Sequence, residues 1–474
     1  MLSPSQIRDR LRDSAAAALD GDETVLDQTA SWLASLTARE LVRVDHYARQ
    51  DCYEGTSRMW AQAVVASPFP VVAVLASMHR DGYVRELAVG SLATSLDVVS
   101  DRALAVRVTD HVGVIREKAM REVLRRLTLD HAEHVMPVLL RIEQRSRAAI
   151  ALALYLDALV SEYGEAQVWG RLRRSADRDL QRVAFQRSID SGLLELTDAI
   201  ELLPREKDQV VRRQLIRVIA DSASADVIAK VLLGGRSAES RALGLVKLTA
   251  AELDVADVQR LLIDRSVLVR LWARRRWQEM GHDAASAYAA VARSAAMPIV
   301  RARAYIGLAE TETAIEREEI LGLVQSTELP LRKVGLSLLR GRATAQDVPL
   351  LLGLVADDQS RVARLASEVL VGGPRLWSVA DLAPLKAAHD PERRRRAWWL
   401  HRHRGGWDAV IADLELLHDS DPELAALGRH RELPMYFQPT GTQRQRIMDL
   451  LATVPLDQHQ RRRIGWVAGI PDPS

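Results

Sequence analysis

A five-residue phrase returns about every 31 residues along this chain: an apolar residue, Arg, two variable residues, then a small or apolar one. It is plain at Val84-Arg85-Glu86-Leu87-Ala88, Ile115-Arg116-Glu117-Lys118-Ala119, Val211-Arg212-Arg213-Gln214-Leu215, Val269-Arg270-Leu271-Trp272-Ala273, Val300-Arg301-Ala302-Arg303-Ala304 and Leu331-Arg332-Lys333-Val334-Gly335. Weaker copies fall at Arg147, Arg182, Arg241 and Arg394. Continuing the step past Arg332 reaches Ala363, Arg394 and Ala425 in the same apolar context, so the register extends through about twelve copies. A unit this short cannot bury both of its faces alone. It must stack on its neighbours, with the core running along the array.

Each unit divides into two helical patterns. Between Ala345 and Leu370 the first reads Asp347 to Val355, a polar turn follows at Asp357–Ser360, and Val362, Leu365, Ala366, Val369 and Leu370 keep the spacing of one helix face. Gly372-Gly373-Pro374 is a stop signal, whereas Asp390-Pro391 and Asp421-Pro422 pair an N-capping carboxylate with Pro at the first helical position. No window alternates as a strand would. The expected class is all-α, an α-solenoid of about twelve stacked helix pairs with helical caps and a contour of roughly 100 Å at ~8–10 Å per layer.

These residues resemble HEAT repeats, in particular the bacterial HEAT-like type named after phycobilisome lyases, whose second helix carries Asp-Pro-x-x-Val-Arg-x-x-Ala. Asp390-Pro391 with Arg394 and Ala397, and Val269-Arg270 with Ala273, match that pattern. The resemblance covers about residues 80–430. It implies a scaffold in most members and DNA binding, lyase or hydroxylase activity in a minority. It also implies that the recurrent Arg bonds to an acidic or carbonyl group of a turn, and acids precede it at Asp81, Asp110, Asp208 and Asp264.

Outside the register, residues 1–80 read as an N-terminal helical cap, 81–432 as the array and 433–474 as a C-terminal helical cap. With 65 basic and 63 acidic side chains and a net charge of +2, the chain is not a general polyanion binder. A single cysteine, Cys52, rules out an internal disulfide framework and fits a reducing cytoplasm. Apolar runs fall short of the ~20 residues of a membrane helix, so the expectation is a cytoplasmic protein with no membrane partner.

Chemistry-bearing motifs are sparse. There is no Gly-x-Ser-x-Gly, no phosphate-binding Gly loop and no His-Glu pair. His131 and His134 share a helix face but read as polar residues at a helix start. No catalytic residue, cofactor or metal is expected. What stands out are two Arg/Trp runs, Leu271–Trp277 and Arg393–Trp407. Arg interleaved with Trp suits acidic or nucleic-acid surfaces, although four consecutive Arg fan over about 300° of a helix at ~100° each. The candidate partner-binding residues are Arg270, Trp272, Arg274, Arg275, Trp277, Arg301, Arg394, Arg395, Trp398, Trp399 and Arg402.

The leading expectation is a non-enzymatic scaffold that binds another protein on the concave face formed by the second helices. The alternative is nucleic-acid binding or DNA repair on that face, as in the HEAT-like alkylpurine DNA glycosylases, with action on a bound chromophore as a third. The oligomeric state is left open.

Overall fold

The apolar periodicities become helices. The computed structural model describes residues 3–50, 53, 55–145, 147–373, 375–429 and 432–470; within them thirty α-helices follow one another, and no strand occurs among the described residues. Cys52 and Pro374 lie outside the described residues. By Cα proximity the chain forms two compact units, 1–235 and 236–474. In the first, the helix Gly82–Leu92 packs on Pro70–Ser77 before it and on Gly113–Arg125 after it. In the second, Leu329–Leu339 packs in the same way on Arg317–Val324 and Ser360–Val371. First helix on second, and second helix on the next second helix, is the stacking of an α-solenoid. No helix among the described residues is long and apolar enough to cross a membrane.

Second helices start on capped turns. Asp390 accepts the Glu392 N–H at 3.0 Å ahead of Pro391, and Asp421 accepts those of Glu423 and Leu424 at 2.8 and 3.2 Å ahead of Pro422. Four residues beyond the N-cap stands the repeated Arg: Arg85 after Asp81, Arg241 after Ser237, Arg270 after Ser266, Arg394 after Asp390. A helical side chain leans toward the N-terminus of its helix. The guanidinium therefore points back into its own turn, where Arg85 donates to the carbonyls of His79 and Arg80 at 3.0 and 2.8 Å and Arg394 to those of Ala388 and His389 at 3.0 and 2.7 Å.

The other edge of the same fork crosses to the next pair. Arg85 holds Asp110 at 2.9 and 3.0 Å, Arg241 holds Asp264 at 2.8 and 2.9 Å, and Arg394 holds Asp419 at 2.8 and 2.7 Å. Arg332 on Asp357 repeats the arrangement, whereas Arg182 meets Asp208 from five residues past its N-cap Asp177, and Gln181 in the slot donates to the Arg173 carbonyl at 3.3 Å. Each of these Asp also accepts a backbone N–H two residues on, as Asp110 does from Val112 at 3.1 Å and Asp357 from Gln359 at 2.8 Å. One carboxylate thus shapes its own turn and receives the previous unit.

Arg147 is not in this slot. It is the N-cap of the helix Ala148–Tyr163, exposed, with φ at +69°. Four residues on from it stands Ala151, so this copy, like those at Ala363 and Ala425, carries Ala in the slot.

Around the Arg, the phrase is core. Val84, Ile115, Val211, Val269 and Val362 precede the slot with no exposure, and Ala88, Ala119, Ala273, Ala366 and Ala397 follow it equally buried. The small residue lets two helices of a pair approach. At Gly335 a Cβ would stand 2.7 Å from the Val324 amide nitrogen and 2.9 Å from the Leu323 carbonyl carbon. Gly335→Ala should therefore cost about 1–3 kcal/mol through overpacking. Gly322→Ala, where nothing lies within 4 Å, should leave stability unchanged or raise it by up to ~1 kcal/mol. Urea-unfolding midpoints of the two variants check the contrast.

Asp110 offers a second test. Burial pushes its carboxyl up, but the Arg85 hydrogen bonds, the Val112 N–H and the charge of Arg107 outweigh this and hold it at about 2, below the ordinary 3.8. A depressed carboxyl stabilises the fold fully above the unfolded value, and that stabilisation drains away as pH falls through the folded value. Asp110→Asn should destabilise the protein by about 3–5 kcal/mol near neutral pH. It should also flatten the loss of stability that the parent chain shows from about pH 4 to 2, measured by denaturant titration at each pH.

Candidate functional site

The first Arg/Trp run occupies the helix Val267–Glu279. Arg270 and Arg274, one turn apart, both grip Glu310, and Arg270 also donates to the Asp264 carbonyl at 2.6 Å. The following turn carries no acid at the equivalent place, so Glu310 at the end of Pro298–Glu310 supplies the carboxylate instead. Burial works to raise the Glu310 carboxyl, yet the two guanidiniums keep it below its ordinary value. Trp277 is buried, donates its indole N–H to the Asp283 carbonyl at 3.3 Å and lies against His282. Arg276 donates to the carbonyls of Leu245 and Val246 at 2.8 and 2.9 Å. Arg301 is likewise directed inward, to the Ala292 carbonyl at 3.1 Å. Only Arg275, with its side chain 64% exposed, and the half-buried Trp272 beneath it at 5.4 Å are left on the outward face, where Leu268 and Leu271 join them.

The second run, in Pro391–His403, shows the fan expected of four consecutive Arg. Arg393 reaches Asp358 at 3.0 Å, Arg394 Asp419, Arg395 Glu392 at 3.3 Å, and Arg396 the carbonyls of Val355 and Asp357 at 2.9 Å each. Ala397 and Leu400 are buried. Trp398 donates to Asp413 at 2.8 Å, and Arg402 stacks on Trp398 while bonding the same carboxylate at 3.1 Å. Trp399 is 37% exposed and stacks on His403 with ring centroids 4.2 Å apart.

Three of the named residues converge. Arg395, Trp398 and Trp399 line one wall of a cleft of about 610 Å³ between the second helices Ser360–Val371 and Pro391–His403. The opposite wall is Ser360, Arg361, Arg364, Ser367 and Glu368. The short serine side chains leave the space that Trp398 and Trp399 face. Arg364 lies 3.5 Å from Glu368, which also pairs with Arg340, whereas Arg361 is exposed and has no ion-pair partner among the described residues. Four Arg against Glu368 and Glu392 leave the lining with a surplus of two positive charges.

Arg361 and Arg364 were not among the sequence candidates, although a signal existed. Their copy has Ala363 in the repeated slot, and its arginines stand two and five residues past the N-cap Gln359, where both are exposed. His131 and His134, the other pair weighed, do not converge on a metal. His131 is buried between Asp101 at 3.3 Å and the Tyr155 hydroxyl at 3.3 Å, and no cluster of metal-ligating groups occurs among the described residues.

The division between inward and outward arginines has a measurable consequence. Glu310→Gln leaves two largely buried guanidiniums without their counter-charge and should lower stability by about 3 kcal/mol. Arg275→Ala, on the open face, should stay within about 0.5 kcal/mol of the parent. Chemical denaturation of the two variants side by side checks this.

No protein-family model matches the chain, and no curated protein matches it. Among solved structures, it is similar to the karyopherin Kap121p bound to the extreme C-terminus of the protein phosphatase Cdc14p, at 12% identity and a TM-score of 0.33 over 94% of this chain and 61% of that one. It is similar also to Kap121p bound to Nup53p, at 11% identity and 0.32 over 95% and 61%, and to an engineered protein at 15% and 0.18 over 90% and 99%. The chain thus spans about three fifths of the karyopherin chains it matches. Nothing about function follows from likeness at this level.

Proposed function

We propose that this protein is a non-enzymatic scaffold that binds another protein through the outward face of its second helices, and that the cleft between Ser360–Val371 and Pro391–His403 receives an acidic segment of that partner bearing an aromatic or aliphatic side chain. The observation that carries this reading is the composition of the cleft: an exposed indole at Trp399, the half-buried Trp398 and four guanidiniums against two carboxylates, with Arg361 left without an ion-pair partner among the described residues. Trp and Arg are the residue types that dominate interface energetics. An indole supplies contact area at little entropic cost, and flanking guanidiniums pair with carboxylates.

Charge pairing elsewhere weakens the nucleic-acid alternative. A groove that tracks a phosphate backbone needs unmatched cations in series. Here Arg394 is matched by Asp419, Arg274 by Glu310 and Arg275 by Glu279. The repeated Arg is a fastening between units, not a ladder open to a ligand.

The test uses labelled acidic peptides, with and without a central Trp, beside duplex DNA, read by fluorescence anisotropy at about 50 and 200 mM salt. The Trp-bearing acidic peptide is expected to bind best, and Arg361→Glu with Arg364→Glu to weaken it by about tenfold or more, ~1.4 kcal/mol. Trp399→Ala should remove the advantage of the Trp-bearing peptide. Failure of every acidic peptide to bind, or equal binding by the charge-reversed variant, would sink the proposal. Duplex binding with a steep salt slope would replace it with the nucleic-acid reading.

A further inference from the structure

Unit 1–235 contains a buried arginine cluster that the repeat does not require. Asp45, on the helix Ala38–Ala48, and Asp110, in the turn after Val98–Arg107, are 1% and 3% exposed. Four guanidiniums converge on these two carboxylates. Arg85 forks onto Asp110 as the repeat demands. Arg107, fully buried at the end of its helix, pairs with Asp45 and lies 3.4 Å from Asp110. Arg49 is 3.2 Å from Asp110 and 3.7 Å from Asp45, and Arg145 is 3.4 Å from Asp45.

The cluster is therefore two positive charges in excess among the described residues. Its hydrogen bonding is also incomplete, since the buried Nε atoms of Arg49 and Arg107 have no partner. Unmatched charge withdrawn from water is expensive, and buried charges are ordinarily paired. The strain registers on Arg107, which burial draws down to about 10 against the opposing pull of Asp110, with the charge of Arg145 adding to the drop.

Beside this surplus lies a cavity of about 280 Å³. Arg49 and Arg145 line it with side chains 30% and 34% exposed, together with His46, Val106, Thr109 and His111, and the buried Asp45 and Asp110, which are shared with Arg85 and Arg107, also border it. The two half-exposed forks are the ones least occupied by carboxylate. Guanidinium is planar and matches the paired oxygens of an oxyanion, and two such forks beside one cavity make a receptor for a doubly charged group.

We propose that this cavity binds a small phosphate-bearing anion, held between Arg49 and Arg145, which serves as the missing third anion of the cluster. The ligand is small and multiply charged: inorganic phosphate itself, or the phosphomonoester of a small molecule. A ligand that binds only the folded chain raises its stability with concentration.

The full chain is heated with inorganic phosphate, with glycerol phosphate, or with chloride at equal ionic strength, and the affinity of each anion is measured by titration calorimetry. Either phosphate compound is expected to raise the unfolding midpoint where chloride does not, and tighter binding by the monoester identifies a small phosphorylated molecule as the source. Arg145→Gln removes one surplus charge and should leave the ligand-free protein at least as stable as the parent while weakening phosphate at least tenfold. Arg49→Gln, which still leaves three Arg for two Asp, should do the same to binding, and Arg275→Ala in the other unit should change nothing. Equal responses to phosphate and chloride, or full phosphate affinity in both Arg145→Gln and Arg49→Gln, would overturn the proposal.

Discussion

The fork of one arginine over two turns is the interaction on which the rest of the stack depends. Placed four residues past the N-cap, the guanidinium donates backward to the carbonyls that end its own turn and sideways to the Asp that shapes the next. Both sets of acceptors would otherwise keep unmet bonding capacity away from water, which costs more than the bond itself contributes. Arg is suited to this and Lys is not, because only a planar fork with five donors meets a carboxylate with two N–H groups and still reaches two carbonyls. The dominance of Arg, with only six Lys in the chain, includes this geometry.

Using arginine as a fastening changes how a basic surface must be read. Arg270, Arg274, Arg301 and Arg394 look in the sequence like positions that could hold a ligand, and in the fold each is directed at protein. The arginines that remain free to act are those outside the slot. Arg361 and Arg364 border a cleft in a copy whose slot holds Ala, and Arg49 and Arg145 border a cavity where acids are too few. Function is sought where the repeat is broken, because a fully satisfied repeat has no bonding capacity left to offer.

How much of this was legible depends on sequence distance. The partner acid lies about 25 residues beyond its Arg in Arg85–Asp110, Arg332–Asp357 and Arg394–Asp419, inside one period, so a preceding acid in the neighbouring turn was a readable sign. Glu310 replaces it for Arg270 from the far end of a helix 40 residues on, and no local pattern marks that substitution. Arg147 kept the spacing but not the role, because the chain enters its helix through a left-handed residue at that point and the slot moves to Ala151. The pairing of Asp45 with Arg107 and Arg145 joins positions 62 and 100 residues apart, and it arises only because Ala38–Ala48 packs against the helix Leu129–Arg141.

The sequence by itself determined the class of fold, the period, the two helices of each unit and the side chains that face the core, since these follow from apolar spacing and from caps that act within a few residues. Tertiary structure alone decided which arginines are fastenings and which are free. That distinction depends on where carboxylates from other turns and helices arrive, and a guanidinium is neutralised by what lies within a few ångströms of it in space, not by what stands near it along the chain.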